Sequence, residues 1–558
     1  MIFDWLEKLG SRPDHPMHGV AEARNLLADL PRDAFRAVEE ITAWLSSVTD
    51  TEGFRLNDRV GVIKLLDETA QPYQRKLCRD YLTAARMQKF QESRLWAAIF
   101  EFWKHSAAAY LLCLEEYGRT VKGAESVKDE LPLLAVRALR SLAAQKKWLH
   151  IRYRPIEERI WADLCKVYQF AEAKAFAHNL FPLYPESARN TSVQQELLKA
   201  LMFEMSSPGS LSHTQMELVD RLVAHFAPSF NFEERPTPGS TFYFDLSLAA
   251  APTRAYKGMQ LHALLRFFGG GVAAAKLGGL VHSLEEGATP PELGFGEEYA
   301  RDALLDMIEH LQLYWASKPP QRQHMRTRTM ARFSVAHRFP EILRQIAADE
   351  KNAVADEAES RDLPHPVPLD MKLYGFVAEK TQRFMPEMGG GNAEAEKDET
   401  ESWIMENVSA GGFGAVVPQL NGDWLKVGTL LGLKAEQGGR WMLGAVRRLG
   451  RDASERVSVG IQTLSRNPVP VRFRLLEQSE LPRWREIAEA ASGPYLTAVL
   501  LPHDAVKGEG PSLVVERNNL VAGRNCLMLV SGEAHLVRLA SVLEQGEDYE
   551  RVGFTHPD

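Results

Sequence analysis

The sequence predicts a multidomain α + β chain: an all-α N-terminal half, then an antiparallel β-barrel, then a further small β-rich unit. Three observations carry this. From about Asp33 to His225 apolar residues recur at three- and four-residue spacing, as in Trp96, Ile99, Phe100 and Trp103 or Ala135, Leu139 and Leu142, the pattern of helices with one buried face. Beyond residue 320 the apolar runs become short and rich in β-formers, with turn dipeptides between them. The chain also has 558 residues, more than one hydrophobic core usually supports.

Taken in order, residues 1–232 read as a helical domain punctuated by Gly53, Gly118 and the Pro182–Pro185 stretch. The segment EERPTPGS at 233–240 marks a boundary, and the β-prone Phe242, Tyr243 and Phe244 follow it. Helical spacing resumes through Tyr299, Leu304, Ile308 and Leu311 until Pro319 and Pro320 stop it, so 233–320 reads as a second, mainly helical subdomain. Residues 321–475 form the expected barrel. Its strands are placed at 332–339, 413–417, 425–433, 441–446 and 457–461, with turns at Asn421-Gly422 and Gly438-Gly439. A helix near 341–357 and a polar, mobile stretch at 389–402 fall within an insertion at about 341–402. After Pro468 and Pro470 a strand is expected around 471–475; residues 476–558 then extend that barrel or form a second, degenerate one, with a helix expected at 481–491 and strands near 495–501, 512–515, 526–530 and 536–539.

Composition excludes several classes. The 45% hydrophobic and 25% charged content is that of ordinary globular protein, which argues against global disorder. A net charge of −8 argues against binding a nucleic acid polymer, which calls for a basic surface. Cys78, Cys113, Cys165 and Cys526 have no CxxC spacing, so neither disulfides nor zinc are expected and a reducing cytoplasm fits. His15 and His18 in HPMH lack a carboxylate cluster, and GGGVAAAKLGG at 269–279 lacks the GK[ST] of a phosphate loop. The N-terminus MIFDWLEKLGSRPDH lacks the basic and apolar regions of a signal peptide, and the stretch 261–281 is interrupted by Arg266 and Lys276, so no membrane span is expected. No nucleophile motif stands out, and a non-enzymatic chain without cofactor is the reading.

Two constellations carry chemistry. In WIMENVSAGGFGAVVP, Asn407 and Ser409 alternate, which puts both side chains on one face of an extended segment, and Gly411 and Gly412 admit a close approach to the backbone. A plain hairpin corner would also use such residues. Upstream, Arg322, Arg326, Arg328, Arg332 and Arg338 cluster around the first β-prone run. Like charges repel unless an anion or carboxylates neutralise them, and guanidinium forks onto phosphate and stacks on bases. A solvated basic run is the simpler alternative.

Together these elements resemble the PilZ family. Arg328-x-x-x-Arg332 is similar to its RxxxR element and Asn407-x-Ser409-x-x-Gly412 to its (D/N)xSxxG element, and WLKVGTLLGLK, WMLGAVRRLGRD and ERVSVGIQTL resemble its later barrel strands. The resemblance covers roughly 325–475. It implies a receptor for cyclic di-GMP, a bacterial second messenger, in which Arg328 and Arg332 bind phosphates and guanine, Asn407 hydrogen-bonds a guanine edge, Ser409 bonds phosphate or guanine, and Gly412 leaves room for the ring. Arg447 and Arg448 add charge, with no family role carried onto them. Arg322 and Arg326 satisfy the same RxxxR spacing, so two registers fit. Residues 333–406 form a longer spacer than the family uses, and the two motifs meet only if 341–402 is an insertion. The implied function is a receptor that couples this ligand to an unidentified protein partner; the alternative is a ligand-free scaffold acting through its helical half.

Overall fold

The computed structural model describes residues 13–556 apart from 84–88, 187–188, 288–298, 322–324, 360–399, 418–419, 421–423, 453, 455, 478–479, 482–483, 485, 487–494, 504–509, 518–522 and 531–532. The chain divides into two units, Met1–Gln321 and Arg322–Asp558.

In the first unit the helices are α1 (Val20–Leu27), α2 (Ala34–Asp50), α3 (Leu56–Thr83), α4 (Lys89–Gly118), α5 (Leu131–Ile151), α6 (Glu158–Ala173), α7 (Val193–Met205), α8 (His213–Phe226), α9 (Gly271–Glu285) and α10 (Arg301–Trp315). Local sequence explains their starts. Asp33 accepts from the Arg36 amide ahead of α2, and Ser212 and Gln215 form a capping box at α8. Ala34, Ala37, Val38, Ile41, Leu45 and Val48 bury one stripe of α2, as the spacing demands.

The helical core also holds a polar cluster. Asp67 on α3 accepts from the hydroxyls of Tyr110 (2.7 Å) and Tyr184 (3.2 Å) and from Gln71 (2.7 Å). Arg137 lies 3.6 Å from Asp67 and donates to Glu68 and to the Leu183 carbonyl. Burial pushes the Asp67 carboxyl upward, and Arg137 and the tyrosine hydroxyls oppose that. Two short strands, β1 (Phe181–Pro182) and β2 (Asn190–Thr191), pair with each other. A four-stranded sheet follows, formed by β3 (Asn231–Glu233), β4 (Phe242–Asp245), β5 (Thr253–Arg254) and β6 (Leu265–Gly269) in the order β3-β6-β4-β5. No helix among the described residues is long and apolar enough to cross a membrane.

The second unit contains two closed six-stranded antiparallel barrels. The first comprises β7 (Thr327–Ala336), β8 (Thr400–Ser409), β9 (Gly412–Val417), β10 (Leu430–Ala435), β11 (Met442–Arg451) and β12 (Val457–Ser465), in the ring order β7-β8-β9-β12-β11-β10. Helix α11 (Phe339–Glu359) lies between β7 and β8 in the chain. The second comprises β13 (Val469–Leu475), β14 (Leu496–Leu501), β15 (Ser512–Glu516), β16 (Asn525–Val530), β17 (Glu533–Gln545) and β18 (Tyr549–Thr555), in the ring order β13-β14-β15-β18-β17-β16. Strand for strand the two rings have the same topology, so the C-terminal unit repeats the architecture of the first.

Three sequence expectations are adjusted. Strand β13 pairs with β14 and β16, so the second barrel begins at Val469 rather than after 475. Leu425–Thr429 is not strand: the Lys426 amide donates to the Thr429 hydroxyl and the Thr429 amide to the Lys426 carbonyl, which makes a turn. The strand expected at 332–339 begins earlier, at Thr327, and so includes Arg328. The expected Asn421-Gly422 turn and the bulk of the expected 389–402 stretch and 481–491 helix lie outside the described residues.

The barrels share a packed layer. Phe339, Ile342 and Ile346 of α11, with Leu430, Trp441, Leu443 and Ala445 of the first barrel, meet Val499, Leu501, Val514 and Tyr549 of the second. Polar contacts fix the register of this layer. The Leu430 amide donates to Asp548 (2.9 Å), the Glu547 amide to the Gly428 carbonyl (2.9 Å), and Lys426 pairs with Glu547 (3.1 Å). Gly428, at φ +91, lets the 546–548 turn approach, since an added Cβ there would lie 2.9 Å from the Glu547 amide nitrogen.

Candidate ligand face on the first barrel

Strand pairing brings the two sequence motifs together. Strands β7 and β8 are antiparallel with Arg328 opposite Asn407 and Arg332 opposite Ile404. The long spacer therefore leaves and re-enters the barrel between adjacent strands.

Which face these residues occupy follows from burial and register. Phe333, Trp403, Met405, Phe413, Ala415 and Ile461 are buried, and Phe333 and Phe413 meet with ring centroids 5.4 Å apart, so these positions point inward. Along β8, alternation from Trp403 and Met405 would turn Asn407 inward as well. A bulge between Met405 and Asn407 prevents this and pairs Asn407 with Gly414, one step from inward Ala415. On β11 a second bulge between Val446 and Arg448 does the same, pairing Arg448 with Gly460. Gly460 in turn pairs with Gly414. The result is one lateral row on the outer face, Arg328–Asn407–Gly414–Gly460–Arg448, crossing five adjacent strands over about 19 Å of sheet.

The two central glycines have different reasons for being glycine. An added Cβ at Gly414 would lie 2.5–2.6 Å from the amide nitrogen and oxygen of Asn407, so Gly414 is the bed on which that side chain rests. At Gly460 a Cβ would lie 3.2 Å from the Cβ of Arg448, and its absence leaves a shallow step between the Asn407 amide and the Arg448 stem. The Asn407 Oδ1 is buried and has no hydrogen-bond partner among the described residues. Such an acceptor costs about 1–3 kcal/mol until a donor reaches it.

The remaining motif residues build the corner. Ser409 pairs with Gly412 across a two-residue hairpin, and its hydroxyl donates to the Gly412 carbonyl at 3.2 Å. A Cβ on Gly412 would run into the Ile461 carbonyl, so this glycine serves close approach of β9 to β12. The Gly411 carbonyl accepts from the Thr463 amide at 3.0 Å. The hairpin-corner reading and the motif reading therefore describe the same residues.

The arginines differ in their engagement. Arg326, Arg328, Arg332 and Arg448 are exposed, and no carboxylate among the described residues lies within ion-pair distance of them. Met325 and Met330, beside them, are 94% and 80% exposed, an apolar rim against which a flat ligand can pack. Arg447, the bulge residue, is committed elsewhere: its guanidinium donates to Gln462 and to Glu544 of the second barrel, both at 2.6 Å. Burial opposes its charge, but Tyr549 and Glu544 more than offset this and raise its pKa. Arg322 lies outside the described residues. The row contributed by Gly414, Gly460 and Arg448 was not singled out as a unit by sequence reasoning; the GFG alternation at 412–414 was its one visible signal.

Fold and face together define a tandem β-barrel protein whose first barrel presents an arginine- and glycine-lined outer surface with an unsatisfied buried acceptor. A family model described as the N-terminal domain of the cyclic-di-GMP receptor FimW matches residues 21–237, within the helical unit. The chain is also 23% identical to the cyclic-di-GMP receptor FimW of Pseudomonas aeruginosa, across 73% of this chain and 70% of that protein. That share exceeds the length of residues 1–321, so the likeness reaches into both units. No solved structure matches the chain.

Proposed function

We propose that the outer face of the first barrel binds cyclic di-GMP and that the chain is a receptor for it, of PilZ type in its 325–475 region. The observation that carries the reading is the register of β7 on β8, which sets Arg328 opposite Asn407 although a long spacer separates them in sequence. Guanidinium groups at Arg328 and Arg332 are suited to phosphate and to the O6/N7 edge of guanine. The orphaned Asn407 Oδ1 is suited to a guanine N–H donor. Gly414 and Gly460 keep the floor between them low, and Arg448 closes the far end. Ser409 and Gly412 act by holding the corner. The similarity to a protein described as a cyclic-di-GMP receptor supports the same ligand.

The ligand's output in this reading is a change in how a protein partner is engaged by the helical unit of the cytoplasmic receptor. Such coupling requires the ligand to bind one state better than another. Unchanged hydrogen exchange across residues 1–320 on ligand addition would remove this relay and leave binding itself untouched.

The test of binding is calorimetric titration of cyclic di-GMP into the full chain and into an Arg328→Ala, Arg332→Ala double variant. Binding by the parent and loss of at least a hundredfold in the variant are expected. Binding unaffected by the variant would move the site, with Arg322 and Arg326 the next arginine pair to test. A folded parent that binds nothing would leave a scaffold that works through its helical half.

A further inference from the structure

The helical unit contains a cavity of about 430 Å³ between α3, α5, α7 and α8, in the lower part of the size range of small-molecule sites. Its polar wall is unusual in sign. Gln74 is 2% exposed and Trp103 7%, and the Gln74 Nε2, the Trp103 Nε1 and the Arg140 Nε are all buried without a hydrogen-bond partner among the described residues. Each of these three orphans is an N–H donor. Arg140 packs over the faces of Trp103 and Tyr184; Tyr184, Glu196, Asp67 and Asp220 favour its charge through space, but no carboxylate among the described residues lies within ion-pair distance of it. Exposed Arg75 and Arg79 also line the space.

The acids that line the cavity are already engaged. Lys147 donates to both Glu217 and Asp220 at 2.6 Å, Arg221 donates to Glu217, and Lys199 to Glu196. Burial alone would raise the Glu217 carboxyl, yet Lys147 and Arg221 hold it at about 2. What remains unsatisfied is a set of N–H donors, and buried donors persist at low cost only where an acceptor completes them.

We infer that this cavity is a second ligand site, specific for a small organic anion bearing a phosphoryl or carboxylate group, with Arg140, Gln74 and Trp103 as its binding donors. The site is separate from the barrel face and does not depend on what that face binds.

The experiment uses the full chain carrying Arg328→Ala and Arg332→Ala, so that the barrel arginines do not compete, and titrates pyrophosphate and citrate as probes by calorimetry and thermal shift. Binding of at least one probe in the low-millimolar range or tighter is expected; which one binds separates phosphoryl from carboxylate recognition. Adding Arg140→Met or Gln74→Met should each weaken that binding tenfold or more. The melting temperature of Gln74→Met should stay within a few degrees of its parent, because it removes a buried N–H donor that has no partner among the described residues. Failure of both probes to bind, or binding that neither substitution alters, would overturn the inference. A lower melting temperature for Arg140→Met with no probe binding would assign Arg140 to packing against Trp103 and Tyr184.

Discussion

At the scale of single residues, Gly412 and Gly414 sit two apart on one strand yet have separable tasks. An added Cβ at Gly412 meets the Ile461 carbonyl, a backbone atom that cannot move aside. Gly412→Ala should therefore destabilise the second unit by about 1–3 kcal/mol, read as a lower melting temperature. An added Cβ at Gly414 meets only the end of the Asn407 side chain, which can rotate away. Gly414→Ala should leave the melting temperature within a few degrees while weakening cyclic di-GMP binding tenfold or more, about 1.4 kcal/mol. Titration and thermal melts on the two variants check this; equal effects of both on binding at unchanged stability would mean the glycines act as one surface. The motif residues were legible in sequence because Asn, Ser and Gly at these spacings are rare company for a buried strand. The face they occupy was not. Alternation alone sends Asn407 inward beside Trp403 and Met405, and the outward turn comes from a bulge at Glu406 that depends on pairing with β9. Arg448 was obscured for the same reason by the bulge at Arg447, and sequence alone does not distinguish it from Arg447, whose guanidinium is bound to Glu544.

At the scale of elements, the turn between β17 and β18 docks the second barrel on the first. Asp548 in that turn accepts from the Leu430 amide. Burial, with Glu547 and Glu516 nearby, raises its carboxyl to about 6. An unfolded Asp titrates near 3.9, so the folded state holds the extra proton between these values. The stabilisation this represents is full below about pH 4 and is lost as pH rises through about 6, amounting to about 3 kcal/mol. Asp548→Asn, which stays neutral throughout, should match the parent near pH 4 and become the more stable protein by pH 7. Melting temperatures across that range test it, and parallel curves for the two proteins would refute the assignment. Of the elements themselves, helices such as α2 and α8 were readable because each buries a stripe at helical spacing, whereas α1, which buries only Ala23, was not. The last strand, Tyr549–Thr555, was missed because YERVGFT carries Glu550 and Arg551 at its start; Gln545 donates to Glu550, and Arg551 donates to the Ser512 hydroxyl, a satisfaction invisible without the partner strands.

At the scale of the molecule, a helical unit is joined to two barrels of one topology, and among the described residues the arginine and glycine row lies on the first. The change of pattern near residue 320 made the two-part division legible, since period and turn content both shift there. The duplication was legible only as one of two alternatives, because the two barrels share ring order rather than sequence motifs, and the second has no counterpart of Asn407-x-Ser409-x-x-Gly412 in its described strands. Beside the similarity to a cyclic-di-GMP receptor, the reading of the whole chain as such a receptor thus rests on one face of one barrel. The most direct test is hydrogen–deuterium exchange on the full chain with and without cyclic di-GMP. Exchange should slow in residues 327–336, 400–409, 412–417, 442–451 and 457–465, the strands that build the row, while strands 496–501 and 512–516 of the second barrel stay unchanged. Slowing confined to residues 469–556 or to the helical unit, with none on the first barrel, would contradict the account.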